Sequence, residues 1–590
     1  MFLSFLLAFF FVFNHSILAN ADFDVNQKTQ YQINIKGDAQ VNQEIELINN
    51  LSQVFPKEYQ AIISSDNIQN IIATDSQGSI IQNIEQQDNQ TIINLKFNDQ
   101  NVGKNQKTIF KINYLIPNLA QKKGNIWELA LPENKNNLGR QSFNTTIFIP
   151  PSFGSLSFSS TPPKTVISLN NQTEIYFNSN DNKNPKIFLI FGNYQLFDFK
   201  FKYFLENTDN KNNSFTITLP PETDSQKITY RSIEPNPENI NIDPDGNYLA
   251  TYNLDPFQKL NINVDGQAKI IHSNLNKTNI NPKDYLKSDL YWETNDSNLV
   301  TIASKLNTPK DIYQYVVDTL SYKQQNIDTS TRQGALNSIL DPINSLCTEF
   351  TDLFITLARI KGIPAREVQG FAYSNNIKIK PININTDVLH AWPQYYDHQK
   401  QAWISIDPTW GKTTNGIDFF SDLDQNHFAF VFHGLNSVNP PPAGAYKNNQ
   451  NVKTINVEFA QNELKLDQVP LTIIHVKNNF YQTAKIKIHN PNYSKISQLK
   501  IIIKNLNFET IIDHLPPLSS VDIPIQGKSF LSSILPINYK LNIKLEYNND
   551  TVNFQINDPT YWFKIIILIA FIATVIGFGG IIRNKLKKQK

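Results

Sequence analysis

The feature that most constrains this chain is a two-residue alternation of apolar and polar side chains, repeated in short runs. In "YQINIKG", Tyr31, Ile33 and Ile35 share one face and Gln32, Asn34 and Lys36 the other. That period belongs to a strand with one buried face. "TIINLKF", "TIFKINYLI", "SFTITL" and "KLNINVDG" repeat it, with turn-rich stretches such as "IDPDGNY" between them. The pattern predicts an all-β sandwich region over 22–195 and a second β region over 196–280. It returns over 471–558 in "LTIIHV", "TAKIKIHN", "LKIIIKNL", "VDIPI" and "YKLNIKLEY". Those strands suit an immunoglobulin-like β-sandwich. The stretch 437–470, with "NPPPAGAYKNNQN", reads as a linker.

Between the β regions, 281–436 reads as α+β. In "NTPKDIYQYVVDTLSY", Thr308 is placed as N-cap, Pro309 as first helical residue and Asp311 in the first turn. Ile312, Tyr315, Val316 and Leu320 follow at helical spacing. The formal net charge of +1 over 590 residues gives no footing for nucleic acid as a partner.

The ends suggest export and anchoring. An apolar run over 2–13 followed by Ala19-Asn20-Ala21 reads as a signal peptide, 1–21. "IIILIAFIATVIGFGGII", preceded by Tyr561, Trp562 and Phe563, reads as a transmembrane helix over 561–582, and "RNKLKKQK" as a basic cytoplasmic tail over 583–590. The expected location is the plasma membrane, single-pass, with the bulk extracytoplasmic.

Cys347 is the sole cysteine. It has no partner for an intrachain disulfide, which leaves a small buried hydrophobe, an intermolecular bridge or a nucleophile. It stands where a helix should begin, with Ser345 as N-cap and Phe350, Leu353, Phe354, Leu357 and Ala358 as the apolar stripe. Unpaired N–H groups and the positive end of the macrodipole stabilise a thiolate there. The same N–H groups suit an oxyanion. Downstream, "DVLHAWPQYYD" and "QAWISIDPTWG" read as a hairpin through "HQKQ". That brings His390, near the start of one strand, toward Asp407, at the end of the next. A base and its orienting carboxylate would then face the sulfur. His398 reads as a solvated turn residue, and His427 and His433 as structural. A single cysteine and the lack of a His-Glu-x-x-His pair argue against zinc. Asp418, Asp422 and Asp424 do not have the spacing of an EF-hand loop. No cofactor or metal is expected.

Three ordered signatures carry a family resemblance. They are the cysteine-led helix running into "ARIKGIPAREVQGFAY", the "HAW" strand, and the "W-x-x-x-DPT" strand, with Cys347, His390 and Asp407 spaced by 43 and 17 residues. The stretch 298–434 resembles the core of the transglutaminase-like superfamily of thiol enzymes, papain-related in fold. The resemblance implies Cys347 as nucleophile, His390 as general base and Asp407 as its orienting group. It also implies acyl transfer from an amide of a protein or peptide through a thioester, with hydrolysis favoured over cross-linking. Tyr322 and Gln333 are candidates for the second oxyanion donor. One departure from the family is Ser345, where glycine is usual. The alternative is a catalytically idle domain serving as a cell-surface peptide-binding or adhesion scaffold.

Overall fold

A computed structural model describes residues 22–587 except 88, 134–140, 180–185, 273–276, 279, 324–331, 375–379, 382–388, 415–416, 449–451, 480–481, 505–506, 525–539 and 558–560. The expected signal peptide, 1–21, lies outside the described residues. The chain forms two compact units, 1–192 and 193–590.

The first unit is all β. Its eight-stranded sheet is flanked by sheets of three and four strands. Tyr31 and Ile33 are buried, as the alternation predicted, while Ile35 is exposed. Pairing in the large sheet is antiparallel with one exception: Phe23–Ile33 runs parallel to Gln141–Ile149. Parallel neighbours need a long connection, and the hundred-odd intervening residues supply one.

The second unit opens with a four-stranded and a three-stranded sheet that share a phenylalanine-rich core. Strand Tyr194–Glu206 buries Phe197, Phe199 and Phe201 on one face. The segment expected as linker adds a strand, Ile455–Phe459, to the edge of that sheet. Further on, sheets of three and four strands enclose an aliphatic core of Leu471, Ile486, Ile488, Ile501 and Leu545 as a sandwich.

Between these lies an α+β layer. Helices α1 (Ser297–Ser304), α2 (Pro309–Thr319), α3 (Gly334–Leu340) and α4 (Cys347–Ile360) precede strand β1 (Ala365–Ala372). Strands β2 (His390–Asp397) and β3 (Ala402–Ser405) follow, then helix α5 (Pro408–Thr413) and strand β4 (His427–His433). The sheet order is β3-β2-β1-β4, antiparallel throughout. Thr308 and Asp311 form a reciprocal capping box at α2. Phenylalanines of Tyr194–Glu206 pack on the sheet, with Phe201 4.8 Å from Phe430 and Phe199 5.4 Å from Phe428.

The membrane expectation is corrected. Among the described residues no helix is long and apolar enough to cross a membrane. The final helix runs Tyr561–Lys587. The transmembrane helix over 561–582 is therefore not supported. Neither is the single-pass plasma-membrane placement with a cytoplasmic 583–590.

Candidate active site

Helix α4 is buried on every side: Phe350, Leu353, Phe354 and Leu357 are sealed, and so are Thr351, Asp352, Thr356 and Arg359. An amphipathic stripe does not predict this, and the buried polar groups need partners. Asp352 accepts from Trp292 Nε1 at 2.9 Å and pairs with Arg332. Arg332 also reaches Glu367 on β1 at 3.0 Å, and Glu367 accepts from His433 at 2.8 Å. This cluster ties α4 to the sheet and fixes where the helix starts.

Cys347 is the first residue of α4 and is half-buried. The N-cap is Leu346 rather than Ser345. Leucine has no acceptor, so Glu349 does the capping: its Oε2 accepts the Leu346 N–H at 2.9 Å and its Oε1 the Gln333 N–H at 2.8 Å. Ser345 is buried at φ −88°, ψ 142°. That is ordinary extended backbone, so a side chain in the family's glycine position costs no strain.

His390 opens β2, and Asp407 lies just past β3 as N-cap of α5. The hairpin register, with Tyr396 opposite Trp403, brings them together. His390 Nε2 is 2.9 Å from Asp407 Oδ2, and both side chains are fully buried. Asp407 Oδ1 accepts the Trp410 N–H at 3.0 Å, which fixes the carboxylate. The imidazole stacks 5.2 Å from Trp410 and 5.9 Å from Trp392. Nδ1 of His390 is buried without a hydrogen bond. The Cys347 thiol lies close enough to raise the ring's basicity.

Burial disfavours a charged His390, but the Asp407 carboxylate and its hydrogen bond outweigh that, with a contribution from Cys347, and lift its pKa to about 9. Burial alone would raise Asp407; His390 and then His427 instead hold it down at about 2.

The structure thus brings Cys347, His390 and Asp407 together. Tyr322 joins them: its backbone bridges to Ser345, and burial first, then the Cys347, Glu349 and Asp407 charges, keep its hydroxyl protonated far above the usual range. Gln333 stands at the start of α3, and its N–H is held by Glu349. His398 is exposed and His433 serves the Arg332 cluster. His427, expected to be structural, lies 3.4 Å from Asp407 Oδ2.

Asp418, Asp422 and Asp424, which lack the spacing of an EF-hand loop, separate into different tasks. Asp418 pairs with Lys310 at 2.8 Å, Asp424 pairs with His427 at 2.8 Å, and Asp422 faces His272 at 3.8 Å. Donor atoms of His390, Asp407 and His427 lie within 4.8 Å of one another, enough to hold a divalent ion. Those atoms already satisfy each other as hydrogen-bonded pairs, and an ion would have to displace that pairing. A cavity of about 680 Å³ touches this region through Trp392, Asp424 and His427, without reaching Cys347, His390 or Asp407.

Residues 298–408 match the family model of the transglutaminase-like superfamily. This segment is a transglutaminase-like domain, and the three site residues lie within it. Uncharacterized protein YebA of Bacillus subtilis (strain 168) is 28% identical over 197 residues, covering 30% of this chain and 25% of that protein. The chain therefore spans about a quarter of that relative's length. Among solved structures, a putative cysteine protease from Cytophaga hutchinsonii is similar at 16% identity and TM-score 0.28, over 46% of this chain and 99% of that one. The periplasmic domain of TgpA from Pseudomonas aeruginosa is similar at 14% identity and TM-score 0.22, over 38% and 91%. At such scores these two bear on no functional question.

Proposed function

We propose that this protein is a thiol enzyme acting on amide bonds of proteins or peptides, with Cys347 as nucleophile, His390 as acid–base group and Asp407 as the residue that orients it. One observation carries the reading. A buried imidazole is anchored at Nε2 by a carboxylate, its Nδ1 is buried without a hydrogen bond, and the half-buried thiol at a helix start is near enough to raise the ring's basicity. In the reaction, the Cys347 proton moves to His390 and sulfur adds to the amide carbonyl. The oxyanion is received by the Cys347 N–H, which has no helical acceptor, and by the Tyr322 hydroxyl. His390 returns the proton to the departing amine, leaving a thioester. Water then attacks with His390 as base and releases the acid; an amine in its place would give a cross-link. Hydrolysis is favoured because water is the default acceptor.

Cys347 is the only thiol in the chain, so alkylation reports on it alone. Iodoacetamide labelling should stay fast well below the free-thiol pKa of about 8.5 and become slow in His390→Ala. Labelling that titrates near 8.5 in both proteins would sink the reading.

A further inference from the structure

We propose that His427 is a positioning residue of this site, sharing the Asp407 carboxylate with His390 and itself held by Asp424 and Lys380; the inference rests on the catalytic reading above.

The geometry runs as a chain of alternating charges. Lys380 Nζ lies 3.2 Å from Asp424 Oδ2, Asp424 Oδ1 lies 2.8 Å from His427 Nδ1, and His427 Nε2 lies 3.4 Å from Asp407 Oδ2. The same Oδ2 binds His390 at 2.9 Å. All of these side chains are at most a tenth exposed. Both nitrogens of His427 therefore face carboxylates. Only the doubly protonated ring donates on both sides, since a neutral one would turn a lone pair toward one anion. Burial opposes that charge, but Asp424 and Asp407 overcome it and raise the ring's pKa to about 9.

The charges of this inner set then cancel, two carboxylates against Lys380 and the His427 imidazolium, before His390 and Cys347 are counted. Buried ions persist when paired in this way. Asp407 remains an anion in a fixed place while the His390 proton comes and goes. The His427 ring cannot swing aside, because it lies 4.6 Å from Trp410 and 5.0 Å from Trp392, centre to centre. At 3.4 Å the bond to Asp407 is long for N–H···O, so it steers a carboxylate that Trp410 N–H and His390 already hold. Without His427, Asp407 loses one of its two cations and Asp424 loses its shield from Asp407. The His390–Asp407 pair loosens, and the imidazolium that stabilises the thiolate weakens with it.

The test is iodoacetamide labelling of the full chain across pH in wild type, His390→Ala, His427→Phe, His427→Gln and Asp424→Asn, with thermal unfolding followed in parallel. His427→Phe keeps a ring but loses both hydrogen bonds. Its labelling at pH 6 should drop by roughly ten- to a hundredfold, the usual cost of an orienting partner, and its inflection should move toward about 8.5. His427→Gln retains one N–H for Asp407 and should recover part of the rate. Asp424→Asn should move the profile in the same direction by less, and it decides the matter with His427→Gln if the phenylalanine variant does not fold. Wild-type profiles in folded His427→Gln and Asp424→Asn, with labelling still lost in His390→Ala, would overturn the positioning role and leave the catalytic reading intact. Slow labelling titrating near 8.5 in the wild type would overturn both.

Discussion

At the scale of single residues, the site depends on two opposed terms. Burial works against ionising both His390 and Asp407, and their mutual attraction more than offsets it. His390 has its pKa raised, to about 9, so its stabilisation is complete below about 6.5 and is lost as pH rises through about 9. Asp407 has its pKa lowered, to about 2, so its contribution holds above about 3.9 and is lost as pH falls through about 2. The stabilisation from the pair is therefore complete from roughly pH 4 to 6.5 and fades as pH rises from about 6.5 to 9. Calorimetry should find Asp407→Asn less stable than wild type by a constant margin between about pH 5 and 6.5, and the margin should shrink as pH rises from there through about 9. A margin that grows through pH 9 would contradict this assignment. His390 and Asp407 were legible in the sequence because their meeting is local: a short hairpin and a helix cap suffice. His427 was not, since only the order of strands brings it to Asp407.

At the scale of elements, β1 separates β2 from β4, and both neighbours run against it. Strands β2 and β4 therefore start at the same edge, which places His390 and His427 side by side. Gly370 on β1 makes this close pairing fit. It lies opposite His390 on one side and Ala429 on the other, at a register shift. A Cβ there would come within 2.1 Å of the Phe428 carbonyl oxygen, which is backbone and cannot rotate away. Gly370→Ala should cost about 1–3 kcal/mol in urea unfolding and slow Cys347 labelling, because β4 begins with His427. Unchanged stability would mean that the strand gives way freely. The Arg332 cluster is the second element-scale device. Its guanidinium is 13% exposed and serves two sealed carboxylates, Asp352 and Glu367. Arg332→Met should cost about 3–5 kcal/mol, since it leaves buried charge uncompensated. Denaturant titration measures it, and a loss below 1 kcal/mol would show that water enters the cluster. No motif announced this network, because its members come from a loop, a helix and two strands.

At the scale of the molecule, the core clusters among the described residues each lie wholly on one side of residue 192. Val25 to Phe191 form one core, and the remaining clusters begin at Phe197. The groups that hold the site, from Trp292 to His433, all belong to the second unit. Residues 193–590 expressed alone should therefore keep the wild-type labelling profile of Cys347. A profile collapsed to that of a free thiol would show that the first unit supports the site.

Local chemistry is what the sequence determined by itself. The two-residue alternation specified strands, a capping box started α2, and three ordered motifs picked out Cys347, His390 and Asp407. These readings depend on neighbours within a few residues, where spacing dictates geometry. Tertiary structure alone decided what depends on order and pairing across the fold. It set the parallel strand in the first sheet, the strand drawn from the expected linker, the Glu349 cap that replaces Ser345, and the buried charges behind Asp407. Such contacts join residues whose separation along the chain says nothing of their separation in space, and low-dielectric burial gives them their strength.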